Sequence, residues 1–161
     1  MNKIIFAFLG LLLFSCNQTQ TKKEVNYSDY INSQSLNRQV VDLYPDGQER
    51  AVIFTIKDVS NKKPVKEIHF FDNGNVQVEG TLKEGKRHGI WTFYHKNGQI
   101  WSTGNFNMGK SMGEFDIFDE QGQIRFKYYY DNGEALKQEI FLKGKLYKTI
   151  DLPKHDNKTL Q

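Results

Sequence analysis

The side chains able to do chemistry are few, and they do not converge. Four histidines (His69, His88, His95 and His155) are spread along the chain with none of the H-E-x-x-H or Cys/His spacings that hold zinc. The carboxylates are scattered, Asp119 and Glu120 in one turn and Asp131 before another, with no pair set around a cleft. There is no Walker A or G-x-S-x-G signature, and the many glycines read as turn residues, not as a phosphate cradle. These residues predict a protein that is not an enzyme and needs no metal or cofactor. Two groups suggest chemistry of another kind. Cys16 is the only cysteine, so it has no disulfide partner in the chain and its thiol is open to another role. Lys83, Lys86, Arg87 and Lys110 gather around successive turns, with Lys62, Lys63 and Lys66 near them. Such a basic rim could meet anionic headgroups, at about 1 kcal/mol per charge close to a membrane. Alternatively it is a solvated edge that discourages sheet-to-sheet pairing.

The elements that must carry these residues are set by glycine. Asp72-Asn73-Gly74, Lys96-Asn97-Gly98 and Glu120-Gln121-Gly122 recur at 24-residue spacing, and Gly85, Gly109 and Gly133 keep the same period. A fixed period of this length marks stacked copies of one small unit. Gaps of 11 and 13 residues between successive glycines leave room for a strand and a turn but none for helices. The stretches between are rich in Phe, Tyr, Trp, Ile, Val and Thr, which suit a pleated surface. The expected fold is all-β, an elongated antiparallel β-meander of hairpin repeats over residues 39–151, with a polar tail at 152–161.

Turn chemistry sets the pairing. Tyr44-Pro45-Asp46-Gly47 suits a type I turn followed by a left-handed glycine, and the three x-Asn/Gln-Gly turns can adopt the same shape. The rival type I′ turn would need positive φ at Gln121, an uncomfortable residue for it. With the three-residue loop, Tyr94 pairs with Ile100 and Phe70 with Val76. One face then collects Ile68, Phe70, Val76, Val78, Leu82, Ile90, Tyr94, Ile100 and Phe106, while Glu67, His69, Gln77, Glu79 and Thr81 lie on the other. Gly80 and Gly104, inside strands and 24 apart, are expected to leave space for aromatic rings or to mark bulges. Trp91, Phe93, Trp101, Phe115 and Ile117 fall on the face expected to be wet. They either lie under the hairpin of residues 39–57 or meet a partner. Trp91, Phe93, Trp101 and Phe115 are accordingly the candidate partner-binding residues, with Tyr94 and Phe118 assigned to the core.

The N-terminal end carries an address. A short positive start is followed by the apolar run Ile4–Phe14, too short to span a bilayer but suited to a signal peptide. Leu13-Phe14-Ser15-Cys16 resembles the lipobox of bacterial lipoproteins. The resemblance implies removal of residues 1–15 by signal peptidase II and a thioether-linked diacylglycerol, labelled by palmitate, on Cys16. Acyl chains, at about 0.8 kcal/mol per buried CH₂, hold a protein on a membrane without a spanning helix. Residues 16–38 then form a lipid-anchored polar tether, with a local turn around Tyr27–Ile31. The expected location is the bacterial cell envelope, the outer membrane preferred to the inner. The formal charge of +3 gives no support for nucleic-acid binding.

The stretch Gly80-Thr81-Leu82-Lys83-Glu84-Gly85-Lys86-Arg87-His88-Gly89-Ile90-Trp91-Thr92-Phe93-Tyr94-His95-Lys96-Asn97-Gly98 resembles a MORN repeat of the bacterial variant type. Gly104-Asn105-Phe106-Asn107-Met108-Gly109-Lys110-Ser111-Met112-Gly113-Glu114-Phe115 resembles a second copy. In a third, Tyr128 replaces the strand glycine and Lys137 stands where Gly89 and Gly113 stood. The resemblance, which extends to YwqK-family antitoxins, implies an antiparallel sheet that binds other molecules and carries no catalytic residues. The expected function is a protein-binding or assembly module of the envelope; the alternative is an antitoxin or immunity protein that neutralises a toxin partner.

Overall fold

The computed structural model describes residues 26–60 and 62–154. The stretch read as a signal peptide, Cys16 with the first part of the tether (residues 16–25), and most of the tail, His155 included, lie outside the described residues. Within them a short helix, α1 (Tyr27–Asn32), precedes ten strands. These are β1 (Leu36–Leu43), β2 (Glu49–Ile56), β3 (Lys66–Phe70), β4 (Val76–Lys83), β5 (Lys86–Tyr94), β6 (Ile100–Asn107), β7 (Lys110–Phe118), β8 (Ile124–Asp131), β9 (Glu134–Leu142) and β10 (Lys145–Asp151). They form one open antiparallel sheet whose spatial order is the sequence order. The all-β meander is therefore the observed fold. At about 4.8 Å per strand spacing the sheet is roughly 43 Å across.

Two kinds of turn alternate along its margins. At one margin Gly98 N–H donates to His95 O (2.9 Å) and His95 N–H donates to Gln99 O (2.8 Å). Gly98 has φ +87° while Asn97 keeps a negative φ. This is a type I turn closed by a left-handed glycine, and the same bonds recur at Gly47, Gly74 and Gly122. At the other margin the loops are two residues long, and Glu84-Gly85, Met108-Gly109 and Asn132-Gly133 have positive φ at both positions. That pattern is the type I′ turn, held here even by Glu84 and Met108, for which the left-handed region costs roughly 1–2 kcal/mol.

Side chains tie one copy to the next. Asn73 Nδ2 donates to Lys96 O (2.9 Å), and Asn97 Nδ2 donates to Glu120 O (3.1 Å). Their Oδ1 atoms meanwhile accept from Asn75 N and Gln99 N. The asparagine of each turn thus shapes its own loop and stitches it to its neighbour. At the opposite margin Gly109 N–H donates to Arg87 O and Gly133 N–H to Ser111 O (2.8 and 2.9 Å), again one period apart.

The expected pairs Tyr94–Ile100 and Phe70–Val76 are present. Beyond each of them, however, the register slips by one residue, at Gln77, Trp101 and Arg125. Each slip is a bulge, which inserts a residue and exchanges the faces for the rest of the strand. Val78 consequently opposes His69 and not Ile68, and Gly80 opposes Glu67. Ile68, Phe70, Val76, Ile90, Tyr94 and Ile100 share one face as expected. Val78, Leu82 and Phe106 belong instead with Trp91, correcting the expected face assignment.

The hairpin of β1 and β2 does not cover the aromatic rings, since β2 pairs with β3 and simply widens the sheet. Part of the segment read as tether is structured: residues 27–32 form α1, and β1 begins at Leu36. Asn26 caps α1 by accepting from Ser28 N (2.8 Å), and the helix lies against β4 and β5. Ile31 and Val52 are fully buried. From the other end, Leu152 N–H donates to Leu136 O (2.8 Å), so the segment after β10 stays attached at its start.

Candidate functional site

The face that carries Trp91 is built around two missing side chains. A Cβ added at Gly80 would lie 2.3 Å from the Trp91 ring, and one added at Gly104 would lie 2.3 Å from the Phe115 ring. Each ring lies flat across the glycine of the adjacent strand, its Cα partner in register. The Trp91 Nε1–H donates to Thr81 O (2.9 Å), so its polar end is satisfied on the same strand. Above it the Arg87 guanidinium sits 4.4 Å from the Trp91 ring, 5.5 Å from Phe93 and 5.6 Å from Phe106. Phe106 packs edge-on to Phe115 (5.3 Å), and Phe115 to Tyr130 (5.0 Å). The strand glycines do serve aromatic packing, as their spacing suggested.

This arrangement divides the four candidate contact residues. Trp91 has no exposed surface and Phe115 is buried at 8% exposure, so neither presents a ring to a partner. The expectation that they lie on the outer surface gives way to the glycine beds and the Arg87 lid. Trp101 is 45% exposed, edge-on to the half-buried Phe93 at 6.1 Å. The Trp101 bulge causes this, because it places Trp101 and Ser102 together opposite Phe93. Beside them opens an apolar groove of about 340 Å³ lined by Phe71, Gln77, Val78, Phe93, Tyr94 and Trp101. Gln77 is the bulged residue of the previous copy, so the groove runs from one copy to the next.

Tyr94 and Phe118 are half-buried, on the opposite face. The Tyr94 hydroxyl donates to the Glu79 carboxylate (2.9 Å), and burial together with that carboxylate pushes its pKa up to about 12. Lys66, on the same face, pairs with Glu79 at 3.3 Å.

The basic rim is only partly assembled. Lys83, Lys86 and Lys110 stand at the two-residue turns of one margin, where the loop bearing Lys62 and Lys63 also returns. Lys83 Nζ lies 5.7 Å over the Tyr27 ring, and Lys110 Nζ donates to Asn132 Oδ1 (3.0 Å). Arg87 is committed to the aromatic rings, and Lys66 to Glu79. Among the described residues no group of three or more His, Cys, Asp or Glu gathers as a metal cage.

One group that sequence reasoning left aside sits beside α1. The His88 ring packs edge-on to Tyr27 at 4.8 Å, and Met108 N–H points at its Nδ1 (3.4 Å). Burial, reinforced by the Lys83 charge, holds this imidazole below its ordinary pKa.

A comparison with curated proteins gives no match. Solved structures that resemble the chain include a glycosylation-associated protein complex (Gap123) from Streptococcus agalactiae, with 15% identity and a TM-score of 0.40, over 73% of this chain and 24% of that one. S. aureus TarM is another, with 12% identity and a TM-score of 0.35, over 77% of this chain and 21% of that one. This chain thus spans no more than about a quarter of either. Residues 87–108, which cover β5 from Arg87 on, its asparagine-glycine turn and β6, match the MORN repeat variant model, so the chain carries a MORN repeat within its sheet.

Proposed function

We propose that the protein is an envelope lipoprotein, anchored through acylated Cys16, whose repeat sheet is a non-enzymatic protein-binding module. The observation that carries the reading is the Trp101–Phe93 groove. A half-exposed tryptophan set against a second ring and two apolar side chains is surface that water solvates poorly. Tryptophan is also the residue type most enriched among binding hot spots, where truncation costs about 2 kcal/mol or more. The partner contact belongs to Trp101 and Phe93, while Trp91 and Phe115 hold the platform. The test is recovery of cross-linked partners from membrane extracts with the wild-type chain and with Trp101→Ala. Loss of the same bands with an unchanged melting profile supports the reading, and unchanged recovery rejects it. Recovery of a secreted toxin in those bands would assign the alternative immunity role. Separately, Cys16→Ser should abolish incorporation of labelled palmitate and release the chain from the membrane fraction. Retention of both would reject the anchor.

A further inference from the structure

The face opposite Trp91 offers the same docking position three times, and the three copies are filled differently. In the first copy α1 occupies it. Ser28 Oγ contacts Thr81 Oγ1 (3.1 Å) and accepts from Ile90 N (3.1 Å), while Tyr27 Oη donates to Leu82 O (2.9 Å). The helix fits because residue 89 has no side chain, a Cβ there lying 2.3 Å from Ser28 Oγ. One period on, the counterparts of Thr81, Gly89 and Ile90 are Asn105, Gly113 and Glu114. The backbone keeps its form, with φ +69° at Gly113 against +86° at Gly89, and the same irregular pairing after the strand glycine. Among the described residues, nothing lies within 4 Å of a Cβ built at Gly113. In the third copy the position is filled by the chain itself, since Lys137 replaces the glycine and its Nζ sits 3.6 Å from the Tyr129 ring centroid.

The position over Gly113 is therefore an open strip walled by α1 on one side and by Lys137 on Tyr129 on the other, with Glu114 beside it held by Lys127 (2.6 Å). An open groove of about 770 Å³ runs along its α1 side, lined in part by Tyr27, Tyr30, His88, Asn105 and Met112. Its width suits one kind of occupant. Copies are two strands apart, so equivalent points lie about 9.6 Å apart and are turned by roughly 40–50° through sheet twist. Helices pack 8–10 Å apart and most commonly cross at about 50°. A helix seated on the second copy as α1 is seated on the first would thus meet α1 at ordinary packing distance and angle.

We propose that this strip is a docking slot for a short helix supplied by a partner protein. That helix carries a serine or threonine in its first turn to sit over Gly113 and an aliphatic residue three positions later, as Ser28 and Ile31 do in α1. The inference rests on the protein-binding reading above and adds the kind of segment bound and the place where it binds.

The test uses α1 itself as the probe. A capped peptide of residues 26–34, with cysteine at the position of Ser28, is activated as a coloured aromatic mixed disulfide. It is offered to the full chain carrying Cys16→Ser and Asn105→Cys, or Cys16→Ser and Gln99→Cys as an exposed position at the far margin. Release of the coloured thiolate should be about ten-fold faster or more at Asn105→Cys, through the raised local concentration of a bound peptide. The advantage should vanish when the peptide carries aspartate in place of Ile31. Equal rates at the two positions, or a rate at Asn105→Cys that ignores the Ile31 change, would overturn the slot. An advantage that emerges only after residues 1–25 are deleted would give the slot to the chain's own leading segment and overturn the partner assignment. Adding Trp101→Ala should leave the trapping rate unchanged, because Trp101 lies on the other face. Failure of the aromatic groove and failure of the slot are thereby read separately.

Discussion

Gly80 and Gly104 illustrate how a single missing methyl group can hold a large side chain in place. The rings of Trp91 and Phe115 occupy the space a Cβ would need, with ring atoms 2.3 Å from its position. Alanine there must displace a buried aromatic against the backbone of its own sheet. Gly80→Ala is expected to lower the unfolding free energy by about 1–3 kcal/mol in a denaturant titration. Near-wild-type stability would show that the ring can shift at little cost. His88 provides the second test on a single side chain. Its folded pKa lies below the ordinary imidazole value of about 6.5, so the unfolded or undocked form binds the proton more tightly. Stability from α1 docking is therefore fully present above about pH 6.5 and declines as the pH falls from there through the folded pKa. Protonation would also remove the lone pair that Met108 N–H addresses. Protection factors in α1, which correct for the slower intrinsic exchange in acid, should fall on acidification, and His88→Gln should flatten that response.

Turns and strands were legible in the sequence to different degrees. The asparagine-glycine turns and the pairs Tyr94–Ile100 and Phe70–Val76 could be read because left-handed glycine and loop length leave few alternatives. The bulges at Gln77, Trp101 and Arg125 left no mark, since three unrelated residue types occupy the inserted position. That omission misplaced Val78, Leu82 and Phe106, and it obscured the reason Trp101 projects. The helix α1 was legible only as a local turn around Tyr27–Ile31. Its six residues are too few to be stable alone, and its order comes from docking Ser28 and Tyr27 onto the first copy. The side-chain stitching between turns gives a contrast that can be measured. Asn97→Ala removes a bond to Glu120 O and one to Gln99 N, and should cost about 0.5–1.5 kcal/mol per bond in thermal or chemical unfolding. Gln121→Ala, at the equivalent position of the last such turn, should be nearly neutral, because the next loop at that margin is the two-residue Lys143-Gly144 turn. Equal losses for the two variants would discount the stitching.

The sheet as a whole has no second layer among the described residues apart from α1, so each strand depends mainly on its two neighbours. Stability in such an array is a sum over adjacent seams, and it is weakest where a seam is missing. Amide protection measured by native-state exchange should peak in β4–β7, beneath α1 and the Trp91–Phe115 rings, and fall toward β1 and β10. Uniform protection across the ten strands would mean that the sheet opens only as one unit. The outer strands are exposed, with Leu43, Leu146 and Tyr147 each more than half exposed, yet both contain irregular pairing that spoils them as flat templates. The 24-residue period has a genetic corollary. Because the turns at Gly74, Gly98 and Gly122 and the bulges at Gln77, Trp101 and Arg125 recur every two strands, and the glycine bed of Gly80 recurs at Gly104, duplicating that period in the gene would insert a complete hairpin without asking any downstream residue to find a new neighbour. The reach of the molecule can thus lengthen in whole steps, like a ruler gaining divisions, while the surface at either end keeps its form.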